Sequence, residues 1–125
     1  MLPSIELRTV VLDCRDAHEL GAFYSRLLGW PVACEEADWV LLRSPVPGGA
    51  GLAFQAEPDY APPVWPEVSG KPQKMEHLDF RVQDLDAACA HALACGARLS
   101  PNQYLKGVRV FFDPAGHPFC LFTDA

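Results

Sequence analysis

Three side chains able to carry chemistry stand at alternate positions in one stretch. They are His77, Asp79 and Arg81, in the run E-H-L-D-F-R-V-Q-D-L-D from Glu76 to Asp86. An imidazole titrates near neutrality and serves as a general acid or base. A carboxylate accepts hydrogen bonds, and a guanidinium donates them in a fixed fork. Successive side chains of a strand point to opposite faces. The three would therefore line one face, with Leu78, Phe80 and Val82 on the other. Arg81 can then pair with Asp79, and Asp79 can approach His77. Two uses fit this pattern equally well. One is a polar patch that recognises an anionic or hydrogen-bonding ligand, with His77 as candidate acid or base. The other is a satisfied ion pair beside a structural histidine, since buried polar groups are paired in any case.

Asp84 follows where a helix N-cap belongs, because its carboxylate can accept from an orphan N–H of the first turn. The strand is therefore expected to run directly into a helix. The pattern has an earlier copy. T-V-V-L-D-C-R-D from Thr9 to Asp16, laid on His77–Asp84, matches Val10, Leu12 and Cys14 to Leu78, Phe80 and Val82. Thr9, Val11 and Asp13 fall on His77, Asp79 and Arg81, and Asp16 falls on Asp84. Each copy continues as a helical pattern to a glycine, Gly29 or Gly96. An internal repeat of this kind sets the architecture before any single element does.

The 125-residue length suits one domain, and 50% hydrophobic residues suffice for a core. The net charge of −6 and the lack of a basic cluster argue against a nucleic-acid or anionic-membrane surface. No apolar run approaches a membrane span, and the N-terminus carries no charged-then-apolar leader pattern. A cytoplasmic protein is expected. The cysteines, Cys14, Cys34, Cys89, Cys95 and Cys120, are odd in number and form no C-x-x-C pair, which argues against a zinc knuckle or redox motif. All but Cys120 read as buried free thiols, small hydrophobes in a reducing compartment.

In chain order, the spacing predicts a strand over Ile5–Cys14 and a helix over Asp16–Leu28 with Leu20, Phe23, Tyr24, Leu27 and Leu28 inward. Asp16 and Glu19 resemble a capping box, and Gly29 a left-handed exit. Short strands follow at Trp30–Cys34, Trp39–Arg43 and Leu52–Gln55, with a polar turn at Glu35–Asp38 and a Pro/Gly turn at Ser44–Gly51. Glu57–Lys74 holds Pro58, Pro62, Pro63, Pro66 and Pro72, which exclude regular structure. Its Tyr60 and Trp65 either pin it to the body or make it a lid. The second copy gives a strand at Glu76–Val82, a helix at Asp84–Cys95, and strands at Ala97–Leu99, Gly107–Phe112 and Pro118–Phe122. The expected fold is α+β: two tandem β-α-β-β-β modules, about residues 4–56 and 75–125, forming a curved mixed sheet around a cleft. His117 is expected to bond local backbone in the turn P-A-G-H-P, and His18 and His91 to sit on helix surfaces. Glu6, Arg8, Glu35 and Glu36 read as solvated charges. No dinucleotide, Walker or nucleophile-elbow motif occurs.

The repeat, with V-V-L-D-C-R-D…F-Y…L-L-G-W in the first module, E-H-L-D-F-R-V-Q-D-L-D-A-A…G-A-R-L in the second and the ending D-P-A-G-H-P-F-C-L-F, resembles the vicinal oxygen chelate superfamily of glyoxalases, bleomycin-resistance proteins and extradiol dioxygenases. The resemblance implies a divalent-metal position supplied by both modules. Carried over by position, it falls on His77, Thr9, Cys120 and, aligning Gly51 with Gly116, about Gln55. Of these only His77 is a strong ligand. Thr9 and Gln55 offer neutral oxygens, and Cys120 would suit a soft metal rather than Mg²⁺ or Mn²⁺. The expected function is therefore binding of a small organic molecule without a catalytic metal. The ligand would lie against Thr9, Asp13, Gln55, His77, Asp79, Arg81 and Cys120, with Trp39, Tyr60 and Trp65 stacking on it. The alternative is a divalent-metal-dependent lyase, isomerase or dioxygenase with a degenerate site at His77. The resemblance also implies a homodimer.

Overall fold

The computed structural model describes residues 2–124, which fall into two compact units, Met1–Tyr60 and Ala61–Ala125. Each carries one β-α-β-β-β module. The first consists of β1 (Thr9–Cys14), α1 (Ala17–Leu28), β2 (Val32–Glu36), β3 (Trp39–Leu42) and β4 (Gly51–Ala56). The second consists of β5 (Leu78–Arg81), α2 (Leu85–Cys95), β6 (Arg98–Leu99), β7 (Val108–Phe112) and β8 (Pro118–Phe122). The four-stranded sheets have the equivalent orders β1-β4-β3-β2 and β5-β8-β7-β6. In each, the first strand pairs parallel with the last and the remaining pairs are antiparallel. The fold is α+β, built as the tandem repeat implies.

Both helices start on the expected caps. Asp16 accepts from the backbone N–H groups of His18 and Glu19, and Asp84 from that of Ala87. Both end on a left-handed glycine, with φ of 72° at Gly29 and 112° at Gly96. α1 buries Leu20, Phe23 and Tyr24 against its sheet, where Tyr24 stacks on Phe54 at 5.4 Å. It approaches the strands so closely at Gly21 that a Cβ there would lie 2.7 Å from Val40 Cγ1. In the second unit Phe111, Phe119 and Leu121 are buried, and α2 turns Ala92 and Cys95 inward.

Strand ends differ from the sequence pattern because pairing partners, not local alternation, end a ladder. β1 begins at Thr9 rather than Ile5, since its partner β4 begins at Gly51. Ile5 and Leu7 are exposed. β2 is displaced from Trp30–Cys34 to Val32–Glu36. Pro31 lacks an N–H and uses its carbonyl to accept from Arg43 N. The polar turn shrinks to Ala37–Asp38. β5 starts at Leu78, opposite Phe119, so Glu76 and His77 precede the strand. β6 and β7 each start one residue late, and β4 extends by one residue at both ends. Residues 57–74 contain no helix or strand. Of the thiols expected to be buried, Cys14 and Cys95 are, whereas Cys34 and Cys89 are only partly covered. None of the five cysteines forms a disulfide among the described residues.

Candidate functional site

The second unit gathers polar residues of the Glu76–Asp86 run at the edge of its sheet. Phe80 packs edge-to-face on Phe119 at 5.9 Å, so its neighbours Asp79 and Arg81 point the other way and are exposed. His77 Nε2 lies 3.2 Å from Asp79 Oδ1. Parallel pairing sets Cys120 directly beside Asp79. Ligand-capable atoms of His77, Asp79 and Cys120 then all lie within 4.8 Å of one another.

Burial is the main reason that the Cys120 thiol is pushed up to about 11 from its ordinary 9.0. The Asp79 charge and a hydrogen bond to its carboxylate add to the effect. At neutral pH the group is a thiol that donates weakly, beside an acceptor carboxylate and an imidazole able to do either. Arg81 does not join this cluster. Its Nη1 lies 3.5 Å from Asp124 Oδ2, so the expected Arg81–Asp79 pair gives way to one with the end of the chain, on exposed groups where an ion pair adds little.

In the first unit, β-sheet register places Asp13 opposite Gln55, and Gln55 opposite Trp39. Three residues singled out in the sequence thus form one row across β1, β4 and β3. Gln55 donates from Nε2 to Glu57 Oε1 at 2.6 Å, and with Trp39, Cys34, Glu36 and Asp38 it lines an open depression of about 290 Å³. Thr9 lies at the far end of the strand, opposite Gly51. The registers also revise one carried-over position. Cys120 pairs with Asp79, and Val11, the counterpart of Asp79, pairs with Ala53. Ala53, rather than Gln55, is therefore the structural counterpart of Cys120.

Trp65 packs edge-to-face on Tyr104 at 5.5 Å and has Lys74 Nζ 5.3 Å from its ring centroid. Lys74 in turn pairs with Glu67, which holds that carboxyl below its usual range. Trp65 thus fastens the proline-rich segment within its own unit. Tyr60 accepts from Arg15 through its backbone carbonyl. His117 bonds local backbone as expected, its carbonyl accepting from Asp113 N at 3.0 Å, and its ring Nδ1 also lies 2.8 Å from the buried Asp113 Oδ2.

A family profile described as a glyoxalase-like domain matches residues 9–122. The chain belongs to this glyoxalase-like family. No curated protein matches it. Solved structures with the same fold include a glyoxalase/bleomycin resistance protein/dioxygenase family enzyme from Burkholderia phytofirmans PsJN. It is 21% identical with a TM-score of 0.71, over 97% of this chain and 100% of that one. A glyoxalase family protein from Enterococcus faecalis is 23% identical with a TM-score of 0.68, over 94% of this chain and 96% of that one. TnmS3, an antibiotic binding protein from Streptomyces sp. CB03234, is 17% identical with a TM-score of 0.67, over the full length of both. These likenesses establish the fold, and the superfamily resemblance read from the repeat holds. No helix among the described residues is long and apolar enough to cross a membrane.

In this glyoxalase-like domain the donor chemistry decides which metal would fit. Imidazole, carboxylate and thiolate suit Zn²⁺ or another borderline-soft ion, whereas Mg²⁺ and Mn²⁺ prefer oxygen ligands throughout. The sequence pattern marks Asp79 as a ligand-binding residue. Its place beside Cys120 came only with the strand register.

One prediction arises from the thiol itself. At pH 8 a group with pKa near 11 is roughly one-thousandth thiolate. Asp79→Ala removes the charge and acceptor causes but leaves burial, so alkylation of Cys120 should accelerate by about tenfold, short of the roughly hundredfold of full release. Site-resolved mass spectrometry after an iodoacetamide time course measures it, and an unchanged rate would refute the assigned cause. Because the folded pKa is the higher one, Cys120 stabilises the fold fully below about pH 9, and this contribution is lost as pH rises towards 11. Cys120→Ser should flatten that alkaline decline.

Proposed function

We propose that this glyoxalase-like protein binds a small organic molecule through the polar face formed by His77, Asp79 and Cys120, without the family's hard-metal chemistry. The observation that carries this reading is the cluster itself: three different hydrogen-bonding groups within 4.8 Å, with His77 and Asp79 exposed and Cys120 partly so. The His77–Asp79 pair is exposed, so it contributes at most about 1 kcal/mol to folding. Packing of Phe80 and Phe119 holds the strands in its place. The cluster offers an acceptor, a weak donor and an imidazole that can act as either. That set fits a ligand carrying both hydroxyl or amide donors and carbonyl-type acceptors, with His77 as candidate acid or base. In the first unit the row Asp13–Gln55–Trp39 offers a carboxylate, an amide and a stacking indole, also suited to an organic ligand. A cytoplasmic setting and a homodimer belong to the same reading.

The cluster supports a second reading, a metal-dependent lyase, isomerase or dioxygenase. His77, Asp79 and Cys120 would hold a borderline-soft ion, which when bound would act as a Lewis acid polarising a substrate oxygen. The protein's own part would be to orient the imidazole through Asp79 and to keep Cys120 partly shielded from water.

Thermal denaturation against a panel of organic compounds and divalent ions, with and without chelator, separates the two. A ligand at about a hundredfold its Kd adds about 2.7 kcal/mol, so binding raises the melting temperature measurably. The binding reading expects stabilisation by organic compounds that is indifferent to chelator and lost in His77→Ala. Stabilisation by Zn²⁺ alone, reversed by chelator and lost in the same variant, would replace it with the metal reading.

A further inference from the structure

A second polar site lies in the first unit, apart from the His77 cluster. β4 sits between β1 and β3 and begins at Gly51. β1 runs parallel to it and β3 antiparallel, so the residue before β1 and the residue after β3 reach the same end of the sheet. Those residues are Arg8 and Arg43. Gly51 N donates to the Arg8 carbonyl at 2.9 Å, and Arg43 N donates to the Pro31 carbonyl at 3.2 Å. The two arginines line a cavity of about 220 Å³ with the loop Ser44–Gly49 and Gly51.

Three features make this pocket unlike an ordinary solvated rim. Neither guanidinium has an ion-pair or hydrogen-bond partner among the described residues, and no acid lines the cavity. That is unexpected in a chain with 16 acids against 10 Lys and Arg. The loop is drawn in closely. A Cβ on Gly49 would lie 2.7 Å from Ser44 Oγ, and one on Gly51 would lie 2.5 Å from the Leu42 carbonyl oxygen. Ser44 Oγ accepts from Val46 N at 3.1 Å, which leaves its O–H to donate outward.

Two uncompensated guanidiniums and a hydroxyl donor beside three glycines and the apolar Pro45, Val46 and Pro47 make a receptor for an oxyanion, since the planar Arg fork matches carboxylate and phosphate oxygens. The volume lies below the roughly 300 Å³ at which whole drug-sized ligands are enclosed, so it suits a headgroup. We infer that the Arg8–Arg43 pocket binds the phosphate or carboxylate end of a small anionic molecule.

The test is an amide NMR titration of the full chain with inorganic phosphate and, separately, with succinate, at fixed ionic strength. The inference expects saturable shifts centred on Gly48, Gly49 and Gly51 with at least one anion, and the responding anion distinguishes phosphate from carboxylate. Arg8→Gln and Arg43→Gln should each weaken binding by about tenfold, the worth of one charge-assisted contact. Both side chains are exposed, so neither variant threatens the fold. Lys106→Gln removes the same charge in the other unit and should leave the affinity unchanged. No saturable shift with either anion, or equal weakening by Lys106→Gln, would overturn the inference.

Discussion

Asp113→Ala should lower the stability of the protein by about 3 kcal/mol, read from denaturant unfolding followed by tryptophan fluorescence. The Asp113 side chain is fully buried, and a five-residue turn is wrapped round it. Its Oδ1 accepts from Ala115 N and His117 N, both at 2.9 Å, and its Oδ2 takes the contact with His117 Nδ1. The backbone closes the same turn, with Asp113 N donating to the His117 carbonyl. Alanine would take the carboxylate away from two amide donors and an imidazole in a part-buried turn. A buried group stranded in this way costs about 1–3 kcal/mol, far more than the net gain of an ordinary hydrogen bond. The turn also delivers the chain into β8, where Cys120 stands, so the loss should extend to the His77 cluster. A cost below about 1 kcal/mol would mean that water reaches the turn and replaces the carboxylate.

Phe119→Ala should be more damaging still, by about 3–5 kcal/mol. Phe119 is fully buried and stacks on Phe111 at 5.7 Å, with Phe80 edge-on to it. Removing its ring deletes the buried apolar area and leaves a cavity between β5, β7 and β8 that the neighbouring rings cannot fill without leaving their own positions. The functional consequence follows from register. Phe119 and Phe80 hold β5 against β8, and that alignment sets Asp79 beside Cys120. The variant should therefore lose the elevated Cys120 pKa as well as stability, so alkylation of Cys120 in native conditions should speed up. A stable variant with an unaltered alkylation rate would show that backbone pairing alone maintains the cluster.

Local signals in the chain were legible where their physics is local. Asp16 and Asp84 cap helices because an Asp side chain reaches N–H groups two or three residues on. Gly29 and Gly96 end helices because the left-handed exit favours a residue without Cβ. The alternation from His77 to Val82 correctly separated a polar from an apolar face. The prolines of residues 57–74 correctly marked a stretch without helix or strand. The matched pair of these patterns was enough to read a tandem repeat, its α+β class and its superfamily.

The order of residues alone thus specified the succession of elements, the faces they bury and the presence of His77 and Asp79 on one polar face. Adjacency between residues far apart in the chain came from the folded arrangement. Cys120 comes to Asp79, Arg81 is drawn to Asp124, Ala53 rather than Gln55 answers to Cys120, and Arg8 and Arg43 line one cavity with Gly51. The reason is that alternation fixes which way a side chain points but not which strand it faces. Register depends on where a distant partner strand begins, and a shift of one residue there would send every side chain to the opposite face.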